Sequence, residues 1–284
     1  MHLLIAILLV LHTSLAPVIS DSDISDSPDM SMFVWNLEEL TSDSIEKLKS
    51  DEFNTIYLYY SADDEERFIS KCNLAKSYGF KVYALGGSAK WVDDNETAFD
   101  AFMSHLVDLK KRQVCDFVGI ILDIEPYVLK VSEKKMLKYY EVFQNHIVEA
   151  DSICRMNGLE LNIVIPFWYE KVELDNGYGK TNLAEWIMGK VDTVTVMAYR
   201  NKVIGSNSIT ALIKEEVHYA RKFGTTLIIA VETRPSQEGD NVSFAGYSKN
   251  EVMLVLYELK KIGVTIDCDI QVAVHHLETW LILN

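Results

Sequence analysis

The sequence predicts a single α/β domain, a (β/α)8 or TIM barrel, and three observations carry that prediction. Eight short β-rich runs alternate with amphipathic helical stretches. The 284 residues suit a barrel that typically needs about 250. A doubly wound open sheet, the main alternative, usually carries a Gly-rich phosphate loop after its first strand, and this chain has none there.

The expected strands are Met32–Leu37, Thr55–Ser61, Lys81–Gly86, Phe117–Pro126, Leu159–Phe167, Thr193–Arg200, Thr225–Glu232 and Ile270–His276. They are rich in Val, Ile, Thr, Tyr and Phe, and several are almost wholly apolar, as parallel strands covered on both faces must be. The longest helical pattern runs from Ser132 to Asn157, with Met136, Tyr139, Tyr140, Phe143, Ile147 and Ala150 at helical spacing. Gly79, Gly158, Gly224 and Gly263 are expected to end helices, because glycine takes the left-handed conformation that closes a helix. Ser248 with Glu251 forms a capping box ahead of the last helix.

Residues 1–20 read as a secretory signal peptide: an apolar run from Leu3 to Leu11, then Val18 and Ser20 before a cleavage point at Asp21. An uncleaved anchor is the competing reading, although a spanning helix needs about 20 apolar residues. Residues 21–31 form an acidic, Ser-rich lead-in expected to be disordered, and the barrel occupies 32–284. Sequons at Asn95 and Asn241 agree with export. The expectation is a secreted, monomeric glycoprotein with no membrane span after signal cleavage. A net charge of −15 argues against nucleic acid or anionic membrane surfaces as partners and is compatible with a neutral glycan or oligosaccharide.

The four cysteines, Cys72, Cys115, Cys154 and Cys268, match no zinc spacing. An even count permits two disulfides in any of three connectivities, and buried free thiols are an equal alternative. If one bridge forms, the expected pair is Cys115 with Cys154, at the bottom of the barrel.

Chemistry in such barrels sits at the C-terminal ends of the strands. Strand four ends Leu122-Asp123-Ile124-Glu125-Pro126. Side chains alternate along a strand, so Asp123 and Glu125 share a face at the barrel mouth. Two adjacent carboxyls perturb each other, one staying ionised while the other's pKa rises. The bland alternative is a pair that faces solvent or caps a loop. Met197 and Tyr199 share a face at the end of strand six, where Tyr199 either reaches the same mouth or packs as an ordinary core tyrosine.

Strands four and six together resemble glycoside hydrolase family 18, the chitinases and endo-N-acetylglucosaminidases. Its strand-four signature, Asp-Gly-x-Asp-x-Asp-x-Glu preceded by Phe, is met by Phe117, Gly119, Asp123 and Glu125. Its strand-six signature, Met-x-Tyr-Asp, is met by Met197 and Tyr199, and Gly86-Gly87 keeps the glycines of its strand-three Ser-x-Gly-Gly. The resemblance implies a substrate-assisted mechanism in which the sugar's own N-acetyl oxygen attacks the anomeric carbon. Glu125 would be general acid and then base, Asp123 would orient the acetamido group, and Tyr199 would hydrogen-bond it. Three positions depart from the pattern. Val118 and Ile121 stand where the family has Asp, and Arg200 replaces the last Asp of the strand-six signature. With Ile121 in place, Asp123 lacks a charge partner and its control must come from elsewhere.

Glu232, at the end of strand seven, opens a second scheme: a retaining glycosidase with Glu125 and Glu232 as its two carboxylates. The ordinary reading of Glu232 is a salt bridge with Arg200 or Arg234. Trp35, Trp91, Trp168, Tyr169 and Trp280 lie near strand ends and would suit sugar stacking, and the resemblance makes Trp280 a candidate for the floor of the sugar site. His275 and His276 fall on opposite faces of strand eight, so one of them, taken as His276, is expected at the mouth. No cluster of Asp, Glu and His stands at ligand spacing, so neither a metal nor another cofactor is expected. Three functional classes follow: a glycosidase acting on N-acetylhexosamine-containing glycans, a chitinase-like lectin with weak or no turnover, and a barrel used only as an interaction scaffold.

Overall fold

The computed structural model describes residues 29–93 and 97–284. The expected signal peptide, most of the lead-in and Asn95 lie outside the described residues. Eight parallel strands close into a barrel in chain order: β1 Met30–Val34, β2 Thr55–Tyr59, β3 Lys81–Gly86, β4 Gly119–Leu122, β5 Glu160–Pro166, β6 Thr193–Met197, β7 Thr226–Glu232 and β8 Ile270–His275. β8 pairs with β1 to complete the ring. β1 begins at Met30, inside the stretch read as lead-in.

Regular pairing in β4 stops at Leu122 and in β6 at Met197, earlier than the apolar patterns suggest. Asp123, Glu125 and Tyr199 therefore stand just past the regular sheet, where the chain leaves the barrel wall. The sequence gives no hint of an antiparallel hairpin, Glu173–Asn176 with Gly179–Asn182, inserted after β5. It is polar, with Leu174 its one buried residue, so it lacks the apolar alternation that marks a strand.

Two apolar layers hold the barrel. The larger lies between the strands and the surrounding helices. The smaller fills the axis with Phe33, Tyr57, Leu85, Ile121, Val164 and Met197 among others, as expected for a barrel packed through its centre. Beneath it the N-terminal ends of the strands turn polar. Asn162 and Thr195 hydrogen-bond each other at 2.9 and 3.0 Å, and the Asn162 amide reaches the Tyr57 hydroxyl at 3.4 Å. Asn162 and Tyr57 border a cavity of about 140 Å³ whose rim includes Ser31, Thr55 and Gln271. Burial pushes the Tyr57 phenol up. The mouth, at the other end, is the site of interest.

Local signals read from the sequence hold at most helix ends. Ser132 caps the helix Glu133–Asn157, and the Ser248–Glu251 capping box is formed. Gly79, Gly158 and Gly224 have φ of +90°, +63° and +72°. Gly263 departs from the expectation: it lies inside the helix Lys249–Thr265. A Cβ there would sit 2.7 Å from Ile270 Cβ and 2.9 Å from the Cys268 carbonyl oxygen, so this glycine serves the close approach of the helix to β8.

The Cys115–Cys154 bridge is not formed, and all four cysteines are free thiols. The helix Glu65–Ser77 carries Cys72 to the segment ahead of β4, where its thiol and that of Cys115 influence each other. Cys154 is buried separately on the helix Glu133–Asn157, its thiol pushed up to about 12 by burial. Among the described residues no helix is long and apolar enough to cross a membrane.

Gly263→Ala is expected to lower unfolding stability by about 1–3 kcal/mol, the usual cost of overpacking a tight contact. Urea denaturation would detect this as a lower midpoint with an unchanged slope.

Candidate active site

β3 and β4 meet closely at the mouth. The Asp123 amide donates to the Gly86 carbonyl at 2.9 Å. A Cβ on Gly87 would lie 1.9 Å from the Asp123 carbonyl oxygen, so only glycine lets the chain pass. The contact fixes the backbone of Asp123 from one side while strand pairing fixes it from below.

Asp123 stands above Ile121 on the inward face, with Glu125 next on that face. Ile121 is fully buried in the axial layer and offers Asp123 no polar group. Asp123 Oδ1 is itself buried without a hydrogen-bond partner. Burial, with the Glu125 charge second, pushes the Asp123 carboxyl up to about 8. Burial thus favours the protonated form of Asp123 at neutral pH.

Glu125 is held by a residue the sequence reading overlooked. The Tyr127 hydroxyl donates to Glu125 Oε1, and burial followed by the Glu125 charge raises the Tyr127 phenol. The Tyr127 ring meets Trp168 edge-on at 4.9 Å, which sets half-buried Trp168 beside the carboxyl pair. Tyr127 lies two positions after Glu125, a spacing that would have flagged it.

Tyr199 reaches the same mouth. Burial holds its phenol well above the usual range, with the charges of Glu232, Asp123 and Glu125 adding to the rise. Met197 lies one step lower on the same face in the axial layer and is 9% exposed. Arg200, standing where the resemblance has Asp, turns away: it donates to the Tyr199 carbonyl at 2.6 Å and to Asn207 Oδ1 at 2.8 Å, over the Phe167 ring.

Glu232 closes the other side. It pairs in register with His275 across β7 and β8. Its Oε1 accepts the Thr233 and Arg234 amides at 2.8 and 2.7 Å, and its Oε2 lies 3.2 Å from His275 Nδ1. Neither Arg200 nor Arg234 pairs with it, and the Arg234 guanidinium goes to Glu278. The strict division of the two histidines between faces does not hold. β8 ends at His275, so the alternation ends there too. His276 stacks on His275 with centroids 3.5 Å apart, and its Nδ1 lies 3.5 Å from Glu232 Oε1. His275 is the one that enters the hydrogen-bond network, while His276 is buried, its imidazole lowered to about 3 by burial and then by His275 and Arg234.

Trp35 belongs to the site, its indole N–H donating to His275 Nε2 at 2.7 Å. Trp280 does not. It is fully buried in the outer layer, packed on Phe53 at 5.2 Å, with its indole N–H on Asp51 at 2.9 Å. The short helix Leu277–Trp280 carries it past the strand and outward. Trp91 packs against Phe99 and Phe102, and Tyr169 is fully buried. Asn241 is exposed in the loop after β7, where its sequon partner Ser243 is buried and donates to the Arg234 carbonyl at 2.6 Å.

Folding brings together a cluster that the sequence spacing hides. Ligand atoms of Glu232, His275 and His276 all lie within 4.8 Å of one another, a carboxylate with two imidazoles of the kind that binds transition metals. The Trp35 contact counts against a metal there. An indole N–H only donates, so His275 Nε2 accepts, and the ring proton sits on Nδ1, the atom that faces Glu232. Metal-bound imidazoles show the opposite arrangement, with the distal nitrogen donating to an acceptor.

No protein-family model and no curated protein matches the sequence. Solved structures match by fold. A class V chitinase of Pseudomonas fluorescens aligns with a TM-score of 0.57 at 13% identity, over 90% of this chain and 98% of that one. A chitinase of Chromobacterium violaceum gives 0.56 at 11%, over 91% and 100%. A family GH18 chitinase of Cycas revoluta, solved with allosamidin, gives 0.57 at 12%, over 88% and 95%. The fold is that of the family 18 chitinase barrels. At this identity the likeness extends to the glycoside hydrolase-like barrel and goes no further.

Two outcomes are expected. Gly87→Ala should cost about 1–3 kcal/mol, seen as a lower melting temperature, because the Asp123 carbonyl must move. The Asp123 carboxyl keeps its proton to about pH 8 when folded and loses it near pH 4 when unfolded. Between those values the folded state binds more protons, so stability falls as pH rises. Asp123→Asn removes that loss, and unfolding curves from pH 5 to 8 should be flatter for the variant.

Proposed function

We propose that the protein is a secreted glycoside hydrolase acting on N-acetylhexosamine-containing glycans, with Glu125 as general acid and base and Asp123 assisting the substrate's acetamido group. The observation that carries this reading is the carboxyl pair at the barrel mouth, where burial favours a protonated Asp123 at neutral pH. A glycosidic oxygen needs a proton to leave. In this reading Glu125 delivers it, and Asp123, whose protonated form is favoured by burial and then by the Glu125 charge, stands beside it. Tyr199 supplies a hydroxyl for the acetamido oxygen. Trp168 and Trp35 offer apolar faces to pyranose rings.

Export rests on the apolar run Leu3–Leu11 and on the sequons. A monomer is the matching oligomeric state. The chitinase names of the structures with the same fold agree with the substrate class.

A lectin is the second reading, and one observation favours it. Asp123 Oδ1 has no hydrogen-bond partner among the described residues, and Ile121 stands below it. A carboxyl without an orienting group holds the acetamido oxygen less firmly, so sugar binding survives better than turnover. The two-carboxylate retaining scheme is not supported in the same way. Glu232 Oε1 already accepts two backbone amides and Oε2 faces His275, and a carboxylate so engaged is a weak nucleophile.

The test is hydrolysis of fluorogenic N-acetylglucosamine oligomers by the mature protein beside Glu125→Gln. Loss of a general acid costs about 10²–10⁴-fold in rate, and that loss is expected. Oligomer binding by both proteins with turnover by neither would establish the lectin.

A further inference from the structure

We propose that Trp35 and His275 are positioning residues that fix the direction of the Tyr199 hydroxyl hydrogen and so make the site select a carbonyl-bearing, N-acetylated sugar over its free amine. This inference rests on the glycan reading above and adds the device behind the selection.

The chain of contacts has one orientation. The Trp35 indole is a donor only and points at His275 Nε2 at 2.7 Å. In the neutral ring the proton must then sit on Nδ1. Two acceptors face that nitrogen: Tyr199 Oη at 2.9 Å and Glu232 Oε2 at 3.2 Å. Glu232 cannot swing away, because Thr233 and Arg234 amides hold its other oxygen. Nδ1, bearing the proton, cannot accept from Tyr199, so the Tyr199 hydroxyl hydrogen must find another acceptor. Among the described residues Tyr199 makes no hydrogen bond to Asp123, Glu125 or Glu232, although all three raise its pKa. The hydroxyl hydrogen is left pointing into the mouth as a preorganised donor for an oxygen that a substrate brings. A carbonyl oxygen accepts that bond, and a protonated amine cannot.

Reversing the His275 tautomer would undo this. With the proton on Nε2, Nδ1 becomes an acceptor and draws the Tyr199 hydrogen back to the protein. The indole N–H of Trp35 forbids that tautomer, because two donors would then meet at 2.7 Å. The same reasoning gives a role to an indole, and not a smaller aromatic, just after β1. The ring stack of Tyr199 on His275, with centroids 6.0 Å apart and 18° between planes, keeps the two groups in register.

The tautomer can be read directly. Long-range proton–nitrogen correlation spectra of the full-length mature protein, labelled at histidine, are expected to show His275 Nδ1 bearing the proton and Nε2 bare. Trp35→Phe should raise the share of the Nε2–H form, because Glu232 alone then favours the proton on Nδ1. In kinetics, Trp35→Phe and His275→Ala should each lower kcat on N-acetylglucosamine oligomers by about 10- to 100-fold with little change in KM. His275→Asn places an amide donor near the former Nδ1 and should recover much of the loss. The preference for N-acetylated over free-amine oligomers should narrow in step. A wild-type ring protonated at Nε2 would overturn the proposal, as would a His275→Asn variant no better than His275→Ala. An inactive protein whose His275 carries its proton on Nδ1, and whose binding preference for N-acetylated oligomers falls in Trp35→Phe, would uphold the device and remove the hydrolase reading.

Discussion

Closing eight strands into a ring leaves every second side chain one direction to point, the barrel axis, and the rest of this molecule follows from that constraint. Along each strand the axial positions must be filled to close-packed density. Phe33, Tyr57, Leu85, Ile121, Val164 and Met197 do so through the middle. One step further along the same faces the packing obligation ends and polar side chains take over: Trp35, Asp123, Tyr199, Glu232 and His275. The apolar layer seals them from below. The site is therefore a polar cap on a dry plug, and its electrostatics come from that geometry. A carboxyl above Ile121 has lost water on its lower side and gained nothing in exchange, which is why burial dominates the rise of Asp123 to about 8.

This is a different way of raising a carboxyl's pKa from one based mainly on paired charges. A neighbouring aspartate below Asp123 would raise its pKa by repulsion and also orient it by sharing a proton. Ile121 supplies neither, and the rise comes from desolvation first and the Glu125 charge second. The backbone of Asp123 is fixed by its amide on Gly86 and by the absence of a side chain on Gly87, while its Oδ1 has no hydrogen-bond partner among the described residues. Glu125 has a separate clamp in Tyr127. Two tyrosines, one on Glu125 and one beside His275, do with neutral hydroxyls what a row of carboxylates does with charge.

Most of the barrel was legible in the sequence because its signal is local. Eight apolar β-rich runs and three of the four helix-ending glycines depend on nearest neighbours in the chain. The face expected for Asp123 and Glu125 depends only on alternation, and regular pairing stops at Leu122, just before them. What could not be read was set by register between strands or by where regular pairing stops. Glu232 meets His275 because β7 and β8 align those residues, and no spacing in the sequence encodes that alignment. Alternation misassigned His276 because the strand ends one residue before it. Trp280 fails as a sugar floor for a similar reason: a single helical turn after β8 carries it outward onto Phe53. Cys115 was matched to the wrong partner because the helix Glu65–Ser77, and not the one carrying Cys154, runs past the entry to β4.

The most telling of these is Gly87. As a letter in a motif it reports only a resemblance. In the structure it is the point where β3 yields space to the carbonyl of Asp123, and the 1.9 Å that a Cβ would leave turns a pattern into a steric requirement. The two conclusions differ in kind. A motif transfers when a chain shares ancestry with those that define it, and at 11–13% identity that transfer carries only the fold. A steric requirement holds for any chain that places a carboxyl there by this route. The functional reading of this barrel thus stands on groups whose positions are forced by packing, hydrogen bonding and donor–acceptor logic in this molecule, with Asp123 held by Gly86 and Gly87, Glu125 by Tyr127, and Tyr199 by His275.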